Sequence, residues 1–379
     1  MTRTIVDFNI LQTVPPSNLN RDDTGSPKSA MYGGVRRARV SSQAWKRATR
    51  VAFDEHLDRS DLGVRTKRIV ELLGDRIVAK DTSITAARAQ ELAGLAFTAA
   101  GIKLTPARKS TKENPLPDES GYLLFLSELQ LDNVAQMCVT AHATDDPKAS
   151  LKGADVKHAL DTQHSIDLAL FGRMVADASD LNVDAACQVA HALSVHAVDT
   201  EFDYFTAVDD HKAADEEEDA GAGMIGTVEF NSSTLYRYAT VDVDLLAKNL
   251  GDPVAARRAV EAFARAFIMS MPSGKQNTFA NRTLPDAVVI GIRDSQSVNL
   301  VGAFEEAVAG DSRLQKAGAK LAEHARAIDA NFGTTPVKVW VVRGGEAVQS
   351  LDALGDRVPL ADAIDGLGTV VEDRLTADV

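Results

Sequence analysis

SNLNRDDTGSPKSAMYGGVRRARVSSQAWKRATRVAF, residues 17–53, decides how the rest of this chain is read. The protein as a whole has a formal net charge of −13. Yet Thr24 to Phe53 contains no Asp or Glu, while it carries Lys28, Arg36, Arg37, Arg39, Lys46, Arg47 and Arg50. An acidic protein that gathers its cations in this way presents an anion-binding surface. Gly33-Gly34 allows a tight turn or a close backbone approach. Ser41-Ser42 is a good N-cap for a helix opening near Gln43 and running from about Ser42 to Leu57. Free N–H groups at a helix start, beside guanidinium groups, suit a phosphate. Helical spacing puts Lys46 and Arg50 on one face, with Gln43 one turn earlier. Trp45, Ala48, Val51 and Ala52 fall on other faces, available for packing inward. The plainer reading is a solvated cationic face. The missing counter-charge favours a ligand, because a merely soluble face mixes signs.

Outward from that stretch, the whole chain has ordinary globular proportions. It has 379 residues, 45% hydrophobic and 25% charged, enough for two or three lobes around large cores. A pI near 5.1 argues against non-specific nucleic-acid binding over the whole surface. Cys138 and Cys187 sit in apolar segments that read as helical, and are expected to be free thiols in a reducing compartment. MTRTIVDFNILQTV is interrupted by Asp7, Asn9 and Gln12, so it reads as a strand and not as a secretory segment. No stretch has the uncharged apolar length of a membrane span. A cytoplasmic, soluble protein is expected.

In chain order, residues 3–14 form a first strand, which Val14-Pro15-Pro16 should end. The segments 64–79, 83–100, 120–143 and 153–171 have helical spacing and read as an inserted helical lobe, broken at 105–119 and 145–155. Residues 183–197 read as an alanine-rich helix. Residues 199–226 combine Phe202, Tyr204 and Phe205 with an acidic run, Asp215 to Asp219, and read as a long projecting loop or hairpin. From Thr227 the pattern is β, followed by a helix over 253–271 and a loop, 271–283, that holds Lys275. Strand 286–293 is continuously apolar and central. Helices at 297–309 and 313–330, a strand at 337–342 and a helix from Pro359 complete an α+β order.

Several of these stretches resemble one known family. They are LNRDD (19–23), YGGVRRARVSSQAWKRATR (32–50), DLALFGRM (167–174), AHALSVHAVDTEFDYFTAVDD (190–210), GTVEFNSSTLYRYA (226–239) and PSGKQNTFA (272–280). The resemblance is to the CasC-type backbone subunit of the type I-E CRISPR Cascade complex. It is closest over the N-terminal quarter and most of 166–280. The resemblance implies an RRM-like, ferredoxin-like palm sheet over 1–59, 171–198 and 227–379, with helical fingers at 60–170 and a thumb at 199–226. It also implies a helical filament of copies of the chain along the CRISPR RNA (crRNA), serving antiviral defence. Guide RNA, other copies, other Cascade subunits and a target DNA strand would be the partners.

A protein that holds any spacer should grip phosphate and ribose. Arg21, Lys28, Lys46, Arg47 and Arg50 are suitable donors, with Ser41 and Gln43 as neutral partners. Arg173 could take a phosphate and Met174 wedge beside a splayed base; core packing is the commoner use of a lone Met, but the resemblance at FGRM favours the wedge. The thumb aromatics either stack on bases or pin the loop to its own palm. Lys275 lies in a loop that resembles a nucleic-acid-contacting loop of the family.

Catalysis has little support. There is no HExxH, CxxC, GxSxG or P-loop. His191 and His196, five apart on the expected helix, do not share a face and read as core or surface residues. Neither cofactor nor metal is expected. Asp22-Asp23 could hold Mg²⁺ for ribonuclease chemistry, but capping a turn, or pairing with the nearby arginines, is the preferred reading. A third possibility is a scaffold whose basic patch docks an acidic protein. The chain is therefore expected to be a non-enzymatic RNA-binding subunit. Copy number, spacer and target are not written in it.

Overall fold

The computed structural model describes residues 3–113, 115–207 and 224–377. The acidic run Asp215–Asp219 lies outside them. The chain forms two compact units. The first comprises Met1–Ala52, Val189–Thr240 and Phe263–Leu367, and the second Phe53–Gln188, Val241–Ala262 and Gly368–Val379. The fold is α+β.

The first unit is built on one large sheet. Among its strands are β1 (Ile5–Ser17), β2 (Ser29–Tyr32), β3 (Val35–Val40), β4 (Ala192–Ser194), β5 (Glu201–Ala207), β6 (Met224–Asp242), β7 (Ala287–Arg293), β8 (Lys338–Arg343) and β9 (Asp356–Arg357). The path runs β9-β8-β7-β1-β6-β4-β3-β2, and β5 pairs with β6 off that path. β1 and β7 are antiparallel, from Ile5 opposite Arg293 to Leu11 opposite Ala287. All seven residues of β7 are buried, as its unbroken apolar run requires for a strand covered on both faces.

β1 shows the two faces by alternation. Phe8 packs edge-on against Phe263 and Phe267 of a helix, α5 (Pro253–Met269). Asp7 and Asn9 point to the other face, where Tyr238 and Tyr236 donate to them at 2.6 and 2.7 Å. Arg293 donates to both Asp7 and Asp329, so the buried charges of this face are paired. β1 continues through Pro15 and Pro16 to Ser17. Its pairing with β7 has stopped at Leu11, so that edge asks for no backbone donor from the prolines.

Three further sequence expectations change here. The basic stretch 29–40 is a hairpin, β2–β3, with Tyr32 opposite Val35 across Gly33-Gly34. Both glycines have positive φ, +57° and +76°, the twist that a two-residue hairpin turn needs. Residues 183–197 hold two short strands, Cys187–Val189 and β4, in place of the expected helix. Alanine propensity loses there to pairing: Leu193 lies opposite both Tyr236 and Arg39. Residues 297–309 contain only a 3₁₀ segment, Leu300–Phe304. The predicted helix over 313–330 is α6 (Arg313–Phe332), and the C-terminal one is α7 (Leu360–Ala377).

The second unit is mainly helical. α2 (Ile69–Lys80), α3 (Ala86–Ala99) and α4 (Glu128–His142) bury Leu73, Leu92, Phe97, Leu131 and Val134 in one core. Thr85 caps α3, and a Ser127/Gln130 capping box starts α4. The expected helices 64–79 and 120–143 both begin later than their periodicity suggests. Gly63–Thr66 and Leu124–Ser127 pair as antiparallel strands instead, and the latter is fully buried. The expected helix 153–171 is split into Val156–Ala159 and Ile166–Phe171, with Gln163 at φ +53° between them. The expected break at 145–155 contains a short helix, Pro147–Gly153, capped by Asp146. Cys138 is a free, buried thiol within α4, and Cys187 a free, buried thiol on a strand. No helix among the described residues is long and apolar enough to cross a membrane.

Candidate nucleic-acid interface

The cationic stretch is organised by Asn20. Its carbonyl accepts from the Lys28 amide and its Oδ1 from the Ser41 amide, both at 2.9 Å. One residue thus ties the 21–27 turn, the start of β2 and the start of α1 (Ser42–Ala52). Inside the turn, Asp22 Oδ1 accepts from Thr24 Oγ1 at 2.7 Å and from the Thr24 and Ser26 amides at 3.0 Å. The Thr24 hydroxyl, ahead of these amides, holds the Asp22 carboxyl below its ordinary range. Asp22 therefore caps a turn, the reading preferred from sequence. The turn leaves Arg21 exposed.

The loop after α5 meets this turn. A Cβ on Gly274 would lie 2.3 Å from the Leu19 carbonyl oxygen, so only glycine permits the approach. Residues 19–25 and Gly274 line a concavity of about 550 Å³. Lys275, half-buried at φ +50°, follows directly.

On α1, Ser41 Oγ accepts from the Ala44 amide at 3.3 Å. Ser41 is 5% exposed, so its part is to fix the helix start rather than to present a hydroxyl. No acidic residue occupies the first turn. Trp45 and Thr49 are buried. Gln43 and Arg47 are exposed, and Lys46 and Arg50 half-buried. Under the helix, the Arg237 guanidinium lies 3.7 Å from the Trp45 ring centroid and donates to Gln12 and to the Phe267 carbonyl. Val51, expected inward, is 59% exposed; α1 ends at Ala52, earlier than the Leu57 expected.

The three arginines of RRAR divide. Arg36 is exposed. Arg37 is fully buried and donates to four backbone carbonyls: Ser194 at 2.8 Å, Phe304 at 2.9 Å, Glu305 at 3.1 Å and Tyr32 at 3.2 Å. Burial pulls its pKa below the ordinary arginine value. It docks the hairpin onto the end of the 3₁₀ segment, where a Cβ on Gly33 would sit 1.6 Å from the Glu305 carbonyl oxygen. Arg39 donates to the Ser29 carbonyl and to His191 Nδ1, each at 3.2 Å.

Of the residues singled out from sequence, Arg21, Lys28, Ser41, Gln43, Lys46, Arg47, Arg50 and Lys275 belong to this first unit. Arg173 and Met174 belong to the second. Arg173 is corrected as a phosphate ligand: its side chain is 1% exposed and ion-paired to Asp161. It also donates to the Leu181 carbonyl at 2.7 Å, and burial lowers its pKa to about 10. Its neighbour Met174 is 82% exposed, so it is not a core residue. Phe202 and Tyr204 are also exposed, at 67% and 63%, while Phe205 lies opposite Gly226 and covers it. His196 is buried with both ring nitrogens engaged, by the Thr234 amide and the Ala197 carbonyl. Sequence reasoning missed the Arg39–His191 contact, because it placed His191 on a helix.

Together the fold and the surface define an α+β protein with a preformed turn leading into a hairpin and helix that carry cations and no acid, a class suited to binding a polyanion. The chain belongs to the CT1975-like protein family, whose model matches residues 6–365. Among solved structures it is similar to a chain of a "CRISPR RNA-guided surveillance complex, pre-nicking", at 35% identity and a TM-score of 0.84. That match covers 97% of this chain and 100% of the other. It is also similar to a chain of a "CRISPR RNA-guided surveillance complex" at 30% identity and a TM-score of 0.74, covering 97% and 99% respectively. No curated protein matches the sequence.

Proposed function

We propose that this chain is a non-catalytic subunit of a type I-E Cascade surveillance complex. It binds CRISPR guide RNA by the phosphate backbone and oligomerises along it, leaving the bases to pair with invading DNA in the cytoplasm. The observation that carries this reading is the acid-free hairpin and helix joined through Asn20, with Arg36 exposed on the hairpin and Arg47 exposed on the helix. The named complexes of the two similar structures support it. We read the large sheet as the RRM-like palm (1–59, 171–198, 227–379), 60–170 as fingers and 199–226 as thumb. Gln43, Lys46, Arg50 and Lys275 complete the proposed RNA surface. Met174, exposed in the second compact unit, is the wedge candidate.

Co-expression with a CRISPR array and partner subunits, followed by nuclease treatment of the extracted nucleic acid, tests the proposal. A discrete RNA within a large assembly is expected. Protein free of nucleic acid would instead favour a scaffold for an acidic partner. The ribonuclease alternative has a separate test. Asp22 already accepts three hydrogen bonds within its own turn. Asp22→Asn should therefore leave the length of bound RNA unchanged in Mg²⁺. Evenly spaced cuts by the wild type, lost in Asp22→Asn, would establish the nuclease reading.

A further inference from the structure

The residues around Arg39 contain a histidine that the RNA surface above does not use. His191 is exposed just ahead of β4. Its Nδ1 lies 3.2 Å from Arg39 Nη1. A guanidinium can only donate, so Nδ1 accepts, and the ring proton resides on Nε2. Arg39 is itself held in place. Its amide donates to the Lys28 carbonyl at 2.9 Å, and its Nε to the Ser29 carbonyl. The charged groups acting on the imidazole are both cations, Arg39 on β3 and Lys28 ahead of β2.

We propose that His191 is a further ligand of the anion surface and takes up a proton when a phosphate binds beside Arg39 and Lys28. This rests on the RNA-binding reading and adds to it a proton-linked contact. The step is a transfer of one proton from solvent to His191 Nδ1. Protonated Nδ1 can no longer accept, so the Arg39–His191 hydrogen bond breaks and both side chains become donors. Two donors facing one another are unfavourable alone; a phosphate oxygen accepting from both makes the arrangement favourable. In the free protein, burial and then the Arg39 and Lys28 charges hold the imidazole pKa below its ordinary value, which is the starting point such linkage needs.

The sign follows from the direction of the shift. A group whose pKa rises on binding strengthens that binding as the pH falls through the bound value. The gain is complete below the free value. Affinity of the full chain for an unstructured single-stranded RNA should rise between about pH 8 and about pH 5.5, the range in which histidine titrates. The rise is about tenfold for each unit by which binding raises the pKa. Calorimetry in buffers of different ionisation enthalpy should register proton uptake. His191→Gln, which can still accept from Arg39, should abolish both the gain in affinity towards acid and the proton uptake. His191→Lys should bind at all pH values as tightly as the wild type does in acid. Wild-type binding with the same pH profile as His191→Gln would overturn the proton linkage and leave the RNA surface standing. No wild-type binding at any pH would overturn both.

Discussion

Arg37→Met should destabilise the chain by roughly 3 kcal/mol, whereas Arg36→Ala, one residue away, should change stability by no more than about 0.5 kcal/mol. The contrast follows from where each side chain ends. Arg37 is buried and satisfies carbonyls from β2, β4 and the 300–305 segment. Methionine fills similar volume but leaves four acceptors without their donor, each costing about 1–3 kcal/mol where water cannot replace it. Water reaching the hairpin rim reduces the total. Arg36 is exposed, opposite Met31 on the edge hairpin, and its loss should be felt in RNA affinity alone. Urea unfolding of both variants, with RNA binding measured in parallel, separates the two roles. Equal midpoints would show that Arg37 does not dock the hairpin.

The second large effect belongs to α1. Lys46→Ala, Arg47→Ala and Arg50→Ala combined should weaken RNA binding on the order of 50-fold near physiological salt, and flatten the slope of log K against log salt by about 2. These figures assume that each cation neutralises one phosphate of a single strand. Folding should be little affected, because the helix is anchored by Trp45 and Thr49 from its other face. A filter-binding titration over a range of salt measures both quantities. A variant that loses affinity at unchanged slope would mean that these residues act through protein contacts and not on phosphates.

The exposed cations of the proposed RNA surface are more legible in the sequence than the fold around them. Lys28, Arg36 and Arg47 were legible because charge asymmetry survives folding: a cation with no acid near it in sequence has few ways to be neutralised. Asp22 was legible because an Asp followed by Thr, Gly and Ser carries its own turn chemistry. Strand β7 was legible from its unbroken apolar run. Arg37 and Arg173 were not, since nothing local distinguishes an arginine that faces solvent from one that ties backbone carbonyls together. The hairpin β2–β3 was hidden because its partner, β4, lies some 150 residues away and reads locally as an alanine-rich helix. His191 was misread with it. In the helical unit, the period was read correctly over α2 and α4. The segments ahead of them were not: Gly63–Thr66 and the wholly buried apolar run Leu124–Ser127 pair as strands, and so short an apolar run also satisfies a helical template.

The salt dependence of RNA binding tests the central claim most directly. Two single-stranded RNAs of equal length and unrelated sequence should bind the full chain with matching affinity. For both, log K should fall with log salt at a slope near −3.5, if about five of the surface cations neutralise phosphates. A slope near zero, or a strong preference for one sequence, would contradict a surface that holds RNA by its backbone.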